Sequence, residues 1–326
     1  LRVVLIYRRQ CKGVYSIEEL FHTVAGELHG QIDIIEYEVG SRLDIVADLR
    51  RLRALNADIY HITGDVTYFA FLLPRSKTVL TVHDIGHFLF GLKGYRQFIY
   101  KWVWLKIPIR TARAVTAVSR ETQDKVVKHL GISRERIDII ENCYDGRYRQ
   151  VPIPFNDSCP VVLQVGTRPN KNVPRLIDAL RGIRCKLVLV GYLDSALRGK
   201  LAECGIDYSN HIDLTHEEMC EQYIACDMVS FVSLGEGFGM PIIEAQVSGR
   251  PVITANAPPM CTVAGGAACM VDAQDVSQIR AGVLKIIADA DYRSQLVEQG
   301  LRNVIRYSPA TISRKYLDLY ERVCDS

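Results

Sequence analysis

Short apolar runs alternate along the chain with stretches in which apolar residues recur every three or four positions. In the first half the runs are RVVLIY (2–7), IDIIEY (32–37), DIYHITG (58–64), TVLTV (78–82), AVTAVS (114–119) and RIDIIEN (136–142). PVVLQVG (160–166), KLVLVG (186–191), HIDL (211–214), MVSFVS (228–233) and VITAN (252–256) follow in the second half. Most are apolar throughout rather than alternating, which predicts parallel strands covered on both faces. Between them, SIEELFHTVAGEL (16–28), RETQDKVVKHL (120–130, ahead of Gly131) and VPRLIDALRG (173–182) read as helices. So does HEEMCEQYIACD (216–227), which Thr215 and Glu218 introduce as a capping box. Ser308-Pro309 starts a last helix on which Ile312, Tyr316, Leu319, Tyr320 and Val323 recur at helical spacing. The alternation predicts doubly wound α/β architecture.

The segment YRQVPIPFNDSCP (148–160) breaks the pattern with three prolines and reads as a linker. A chain of 326 residues suits two domains. The expected division is 1–150, with the helix of 308–326 packing back onto it, and 151–307. No apolar run reaches the roughly 18 residues of a membrane span. LRVVLIYRRQ at the start reads as a strand and not as a signal peptide. Ten cysteines include no C-x-x-C pair, so buried thiols in a reducing cytoplasm are expected rather than zinc or disulfides.

The net charge of +3 hides an asymmetry: residues 1–150 carry 23 Lys and Arg against 17 Asp and Glu. From Ile85 to Arg120 there are seven basic residues and no acidic one. GLKGYRQFIYKWVWLKIPIRTAR (91–113) mixes these cations with aromatics. Two readings stand: a solvated basic helix over core aromatics, or a surface at 93–113 that docks to anionic lipid. No nucleic-acid-binding motif accompanies the charge.

The chemistry concentrates in GEGFGMPIIEAQVSGRPVITAN (235–256). Gly235, Gly237 and Gly239 form a strand-to-helix turn, Pro241 suits the first helical turn, and Gly249 stops the helix. Such a turn lies at the carboxyl end of a parallel sheet, where the free N–H groups of the helix favour an anion. Glu236 and Glu244 flank the same turn, and carboxylates repel phosphate but accept hydrogen bonds from sugar hydroxyls. A ligand with a diphosphate in the middle and a sugar at each end reconciles the two.

The run from Ser233 to Val252 resembles the E-x7-E signature of family 4 glycosyltransferases, retaining enzymes of the GT-B fold. TVHDI (81–85), 114–142 and VGTRPNKNVPRLIDAL (165–180) resemble further segments of that family, so the likeness covers nearly the whole chain. It implies two Rossmann-like domains facing a central cleft, the first on the acceptor side and the second binding the nucleotide sugar. His83 and Glu236 would be catalytic, facing the donor sugar. Glu244 would hold the ribose hydroxyls, and the backbone of Gly237, Phe238, Gly239 and Met240 would cradle sugar and diphosphate. Lys171 and Arg168 would contact the diphosphate, and Gly13 would let the backbone approach the diphosphate or the acceptor. No metal or other cofactor is expected. Two departures stand out: Gly-Thr-Arg precedes the lysine at a short gap, and Cys261-Thr262-Val263 replaces the family's Pro-Glu-Val.

The resemblance thus implies transfer of a sugar from a nucleotide-diphosphate sugar to a glycan or lipid-linked acceptor, with retention, in cell-surface polysaccharide or glycolipid synthesis. The expected location is the cytoplasm, at the inner face of the membrane if 93–113 docks to lipid. A non-catalytic GT-B partner protein and a nucleotide-sugar epimerase are the alternatives. Base, sugar, acceptor and oligomeric state are not legible in the chain.

Overall fold

The computed structural model describes residues 1–9, 16–41 and 44–325. Gly13 lies outside them. Contacts divide the chain into two units, Leu1–Cys143 with Ser308–Ser326, and Tyr144–Tyr307.

In the first unit six strands form one parallel sheet: β1 (Arg2–Tyr7), β2 (Asp33–Glu38), β3 (Ile59–Ile62), β4 (Thr78–Val82), β5 (Ala114–Ala117) and β6 (Ile137–Ile139). The order is β2-β1-β3-β4-β5-β6, so chain direction across the sheet switches between β1 and β3. The inner strands β1, β3 and β4 read as apolar runs because both faces are covered, whereas the edge strand β2 keeps Asp33, Glu36 and Glu38 exposed. Val4 and Ile6 of β1 point into one core with Ile62, Leu80 and Val115. Val3, Leu5 and Tyr7 point into the other, with Phe21 and Val24. The last helix, Pro309–Cys324, closes this second face: Ile312, Tyr316, Leu319, Tyr320 and Val323 are all buried there.

The second unit repeats the architecture with β7 (Val161–Val165), β8 (Lys186–Val190), β9 (Asp207–His211), β10 (Met228–Phe231), β11 (Val252–Ala255) and β12 (Cys269–Val271). All neighbours are parallel and the order is β12-β11-β10-β7-β8-β9. Here the switch falls between β7 and β10, and in such sheets ligands bind outside the carboxyl ends of the strands at the switch.

The structure corrects two details. The strand expected at 211–214 lies at Asp207–His211, on the sheet edge, where Asp207, Ser209 and Asn210 leave no apolar run to betray it. The helix Ile45–Ala54 has no counterpart in the hydrophobic pattern, because only Leu49 and Leu52 on it pack against the core. The proline-rich segment is fastened along the second unit: the Asp227 carboxylate accepts from the N–H groups of Asn156 at 2.9 Å and Val161 at 2.7 Å. The nine cysteines among the described residues are free thiols. No helix among those residues is long and apolar enough to cross a membrane.

Candidate active site

Two loops of the second unit meet at its switch point. The first follows β7: Gly166, then the 3-10 turn Pro169–Lys171, then Asn172 in the left-handed conformation at φ 61°. Asn172 is buried, and its amide donates to the carbonyls of Val232 at 3.0 Å and Ala273 at 2.6 Å. Those two bonds fix where the turn sits relative to the end of β10. The second loop follows β10 and ends at Gly239, whose φ of 120° admits no other L-residue without strain. A Cβ there would also press on Ile242 at 3.2 Å. Helix Met240–Val247 then begins with Pro241 in its first turn.

Between the loops the Lys171 Nζ lies 2.9 Å from Glu236 Oε1. Asn170 joins them, its amide donating to Glu236 Oε1 and to the Gly235 carbonyl, each at 3.1 Å. Its own carbonyl accepts from Leu234 N at 2.8 Å. The ammonium also lies 4.6 Å from the centre of the Phe231 ring, a cation–π contact. Gly166, at φ 85°, makes room for the lysine stem: a Cβ there would meet Lys171 Cε at 2.9 Å. Anchored this way, the cation can neutralise an anion without reorganising.

Glu244 stands one turn into the helix. Tyr223, fully buried on helix His216–Ala225, donates its hydroxyl to Glu244 Oε2 at 2.5 Å. Burial pushes the Glu244 carboxyl up to about 7, against the hydrogen bond from Tyr223 and the charge of Lys171, which lower it. The site therefore holds one carboxylate paired with a lysine and a second that titrates near neutrality.

In the first unit His83 follows β4. Its Nε2 lies 2.7 Å from the Thr63 carbonyl. A carbonyl only accepts, so Nε2 carries the proton and Nδ1 presents a lone pair. Burial lowers the His83 pKa, so the ring is neutral at pH 7 and can accept a hydrogen bond from a hydroxyl. Asp84 does not pair with the ring; it accepts from Gly86 N at 2.8 Å. His61 is a core residue, with Nδ1 2.7 Å from the Tyr320 hydroxyl and Nε2 2.8 Å from Thr81 Oγ1.

Two family models cover both units: "Glycosyltransferase Family 4" matches residues 10–146 and "Glycosyl transferases group 1" matches residues 159–289. The chain belongs to the family 4 glycosyltransferases. It is 26% identical over 298 residues to O-antigen chain mannosyltransferase B of Escherichia coli, covering 83% of this chain and 76% of that one. It is also 26% identical to the O-antigen chain mannosyltransferase RfbU of Salmonella typhimurium, covering 68% of this chain and 63% of the relative's length. Among solved structures, Anabaena Alr3699/HepE in complex with UDP and glucose superposes with a TM-score of 0.80 at 17% identity, covering 98% of this chain and 99% of that one. At that identity the likeness shows the fold, which is GT-B.

Against this family frame, Glu236, Lys171 and the turn Gly237–Gly239 come together. Lys171 and Glu236, expected on different parts of one ligand, are paired with each other. Arg168 is exposed, and its side chain makes no hydrogen bond or ion pair among the described residues. The Phe238 ring is buried edge-on against Tyr307, leaving its backbone to the loop, while Met240 is partly exposed. The Thr262 side chain is exposed on helix Met260–Ala264, and its carbonyl accepts from Arg306 at 2.7 Å. The one Asp-x-Asp in the chain, Asp289-Ala290-Asp291, belongs to a helix cap: Asp289 accepts from Tyr292 N at 2.9 Å. Asn170, Asn172 and Tyr223 escape sequence reasoning. The Pro-Asn-Lys-Asn spelling marks a turn for the asparagines, but no local signal marks Tyr223.

Proposed function

We propose that this glycosyltransferase moves a hexose from a nucleotide-diphosphate sugar to an acceptor hydroxyl, with retention at the anomeric carbon. The observation that carries this reading is the Lys171–Glu236 pair beside Glu244 at the β7/β10 switch point. Lys171, the Gly237–Gly239 backbone and the start of helix Met240–Val247 offer positive charge to a diphosphate, and that charge matters most as the diphosphate leaves. Arg168, on the same loop, adds a second cation. These groups can do the work of a metal ion, so turnover is expected to persist in EDTA. Glu236 then accepts from the donor sugar and Glu244 from the ribose hydroxyls. Retention rests on the E-x7-E resemblance.

Mannose is the favoured sugar, and polysaccharide assembly the favoured context, because the O-antigen enzymes matched over most of this chain are named as mannosyltransferases. The bound UDP of HepE supports a nucleotide donor of this general form. In the first unit the neutral His83 serves as acceptor for a sugar hydroxyl. The membrane reading of 93–113 is also favoured by a specific observation. Tyr95 is 71% and Phe98 65% exposed, on a helical segment that also exposes the cations Lys93, Arg96 and Arg110. Exposed apolar side chains on a segment that also exposes cations suit an anionic bilayer surface.

The test is a panel of nucleotide sugars, with EDTA present, against wild type, Glu236→Ala and Glu244→Ala. Glu244→Ala should lose nucleotide affinity, whereas Glu236→Ala should keep it and lose transfer. Normal binding and turnover in both variants would refute the assignment.

A further inference from the structure

Glu244 would be poorly suited to bind hydroxyls if it stood alone. Burial favours its neutral form, and a protonated carboxyl loses the charge that strengthens those bonds. Something must hold it ionised and turn one oxygen outward. Among the described residues, the charged and titratable groups that act on it are few. Lys171 lies on the β7 loop, Asp145 and Tyr148 on the segment before β7, and Cys220 and Tyr223 on helix His216–Ala225. Only Tyr223 hydrogen-bonds it among the described residues, at 2.5 Å to Oε2, which leaves Oε1 to a ligand.

Tyr223 is itself held from two sides. Its ring stands edge-on to the Tyr148 ring at 5.3 Å and 88°. Its carbonyl accepts from Arg250 Nε at 3.0 Å, and the Arg250 Nη2 bonds the next carbonyl, Ile224, at 2.8 Å. Arg250 is buried and follows directly on the Gly249 that ends the Glu244 helix. The guanidinium thus ties the last turn of the tyrosine's helix to the stretch carrying Glu244. Burial, followed by the charge of Glu244, raises the Tyr223 hydroxyl far above its ordinary range, so it stays a donor at every working pH.

We propose that Tyr223 is the positioning residue of the donor site: its hydroxyl, fixed by Tyr148 and Arg250, holds Glu244 Oε2 and leaves Oε1 for the nucleotide hydroxyls. This rests on the reading of Glu244 as a nucleotide contact.

The experiment titrates UDP and GDP calorimetrically into wild type, Tyr223→Phe and Glu244→Ala between pH 6 and pH 9. The Glu244 carboxyl is followed in parallel by carbon-13 NMR of Glu-labelled protein. Tyr223→Phe keeps the ring packing and loses only the hydroxyl. It should bind the preferred nucleotide about tenfold more weakly at pH 7, in line with one hydrogen bond to a charged group. Part of the loss should return at pH 9, and the Glu244 titration should move to higher pH. A merely structural role would shift neither midpoint. If wild type binds neither nucleotide, or Glu244→Ala binds like wild type, the donor reading fails. If Glu244→Ala loses binding while Tyr223→Phe keeps wild-type affinity and midpoint, the donor reading stands and the role of Tyr223 is refuted.

Discussion

Glu244→Gln should make the protein more stable and less able to bind nucleotide. Glutamine keeps an oxygen for the Tyr223 hydroxyl and resembles the protonated carboxyl, which burial already favours. The Glu244 pKa rises from 4.5 in the unfolded chain to about 7 in the folded one. The folded state therefore binds its proton more tightly. That contribution to stability is complete below pH 4.5, and it is lost as pH rises through 7. At about 1.4 kcal/mol per pH unit, the full loss is about 3 kcal/mol. Glutamine has no proton to lose, so the advantage of the variant should grow from about 1 kcal/mol at pH 5.5 to about 3 kcal/mol at pH 8. Water reaching the carboxylate screens it, so these are upper values. For a unit of this size they correspond to a melting shift on the order of 5–10 °C at pH 8. Urea denaturation at the two pH values, with calorimetric melting in parallel, measures the gap. A gap that stays flat or shrinks as pH rises would refute the reasoning. The same variant should lose the thermal shift that a bound nucleotide gives wild type.

Three further outcomes are expected. Asn172→Ala removes two buried hydrogen bonds and strains a left-handed residue, so it should cost about 2–4 kcal/mol by urea denaturation, with Asn172→Gly recovering only the backbone part. His83→Ala should reduce turnover by ten- to a hundredfold while leaving UDP or GDP affinity unchanged, because its Nδ1 is assigned to a sugar hydroxyl; unchanged turnover removes it from the site. Sedimentation with phosphatidylglycerol vesicles should show binding that weakens with salt and falls in a Tyr95→Ser, Phe98→Ser variant, and salt-independent or absent binding ends the membrane reading.

Much of the second unit was legible because its signals are local. Gly239 is needed where the backbone turns positive, Pro241 where the helix lacks N–H partners, and the Thr215–Glu218 box where the next helix starts. Each depends on a few consecutive residues. What failed was also local: β9 and the helix Ile45–Ala54 bury too little apolar surface to stand out. His61 and His83 differ in the same way. Both close a strand or lie in one, and only their partners separate a histidine bonded to Tyr320 and Thr81 from one whose Nδ1 has no hydrogen-bond partner among the described residues.

By itself the sequence determined the two parallel α/β units and the eight-residue step from Glu236 to Glu244, since spacing within a turn and a helix follows from backbone geometry. The tertiary structure alone decided that Lys171 meets Glu236 and that Tyr223 meets Glu244. Those residues lie 65 and 21 positions apart. The first meeting requires β10 to insert beside β7, and the second requires a neighbouring helix to be fastened by Arg250. Strand order and helix docking are set by the packing of whole faces, and no short stretch of chain records that choice.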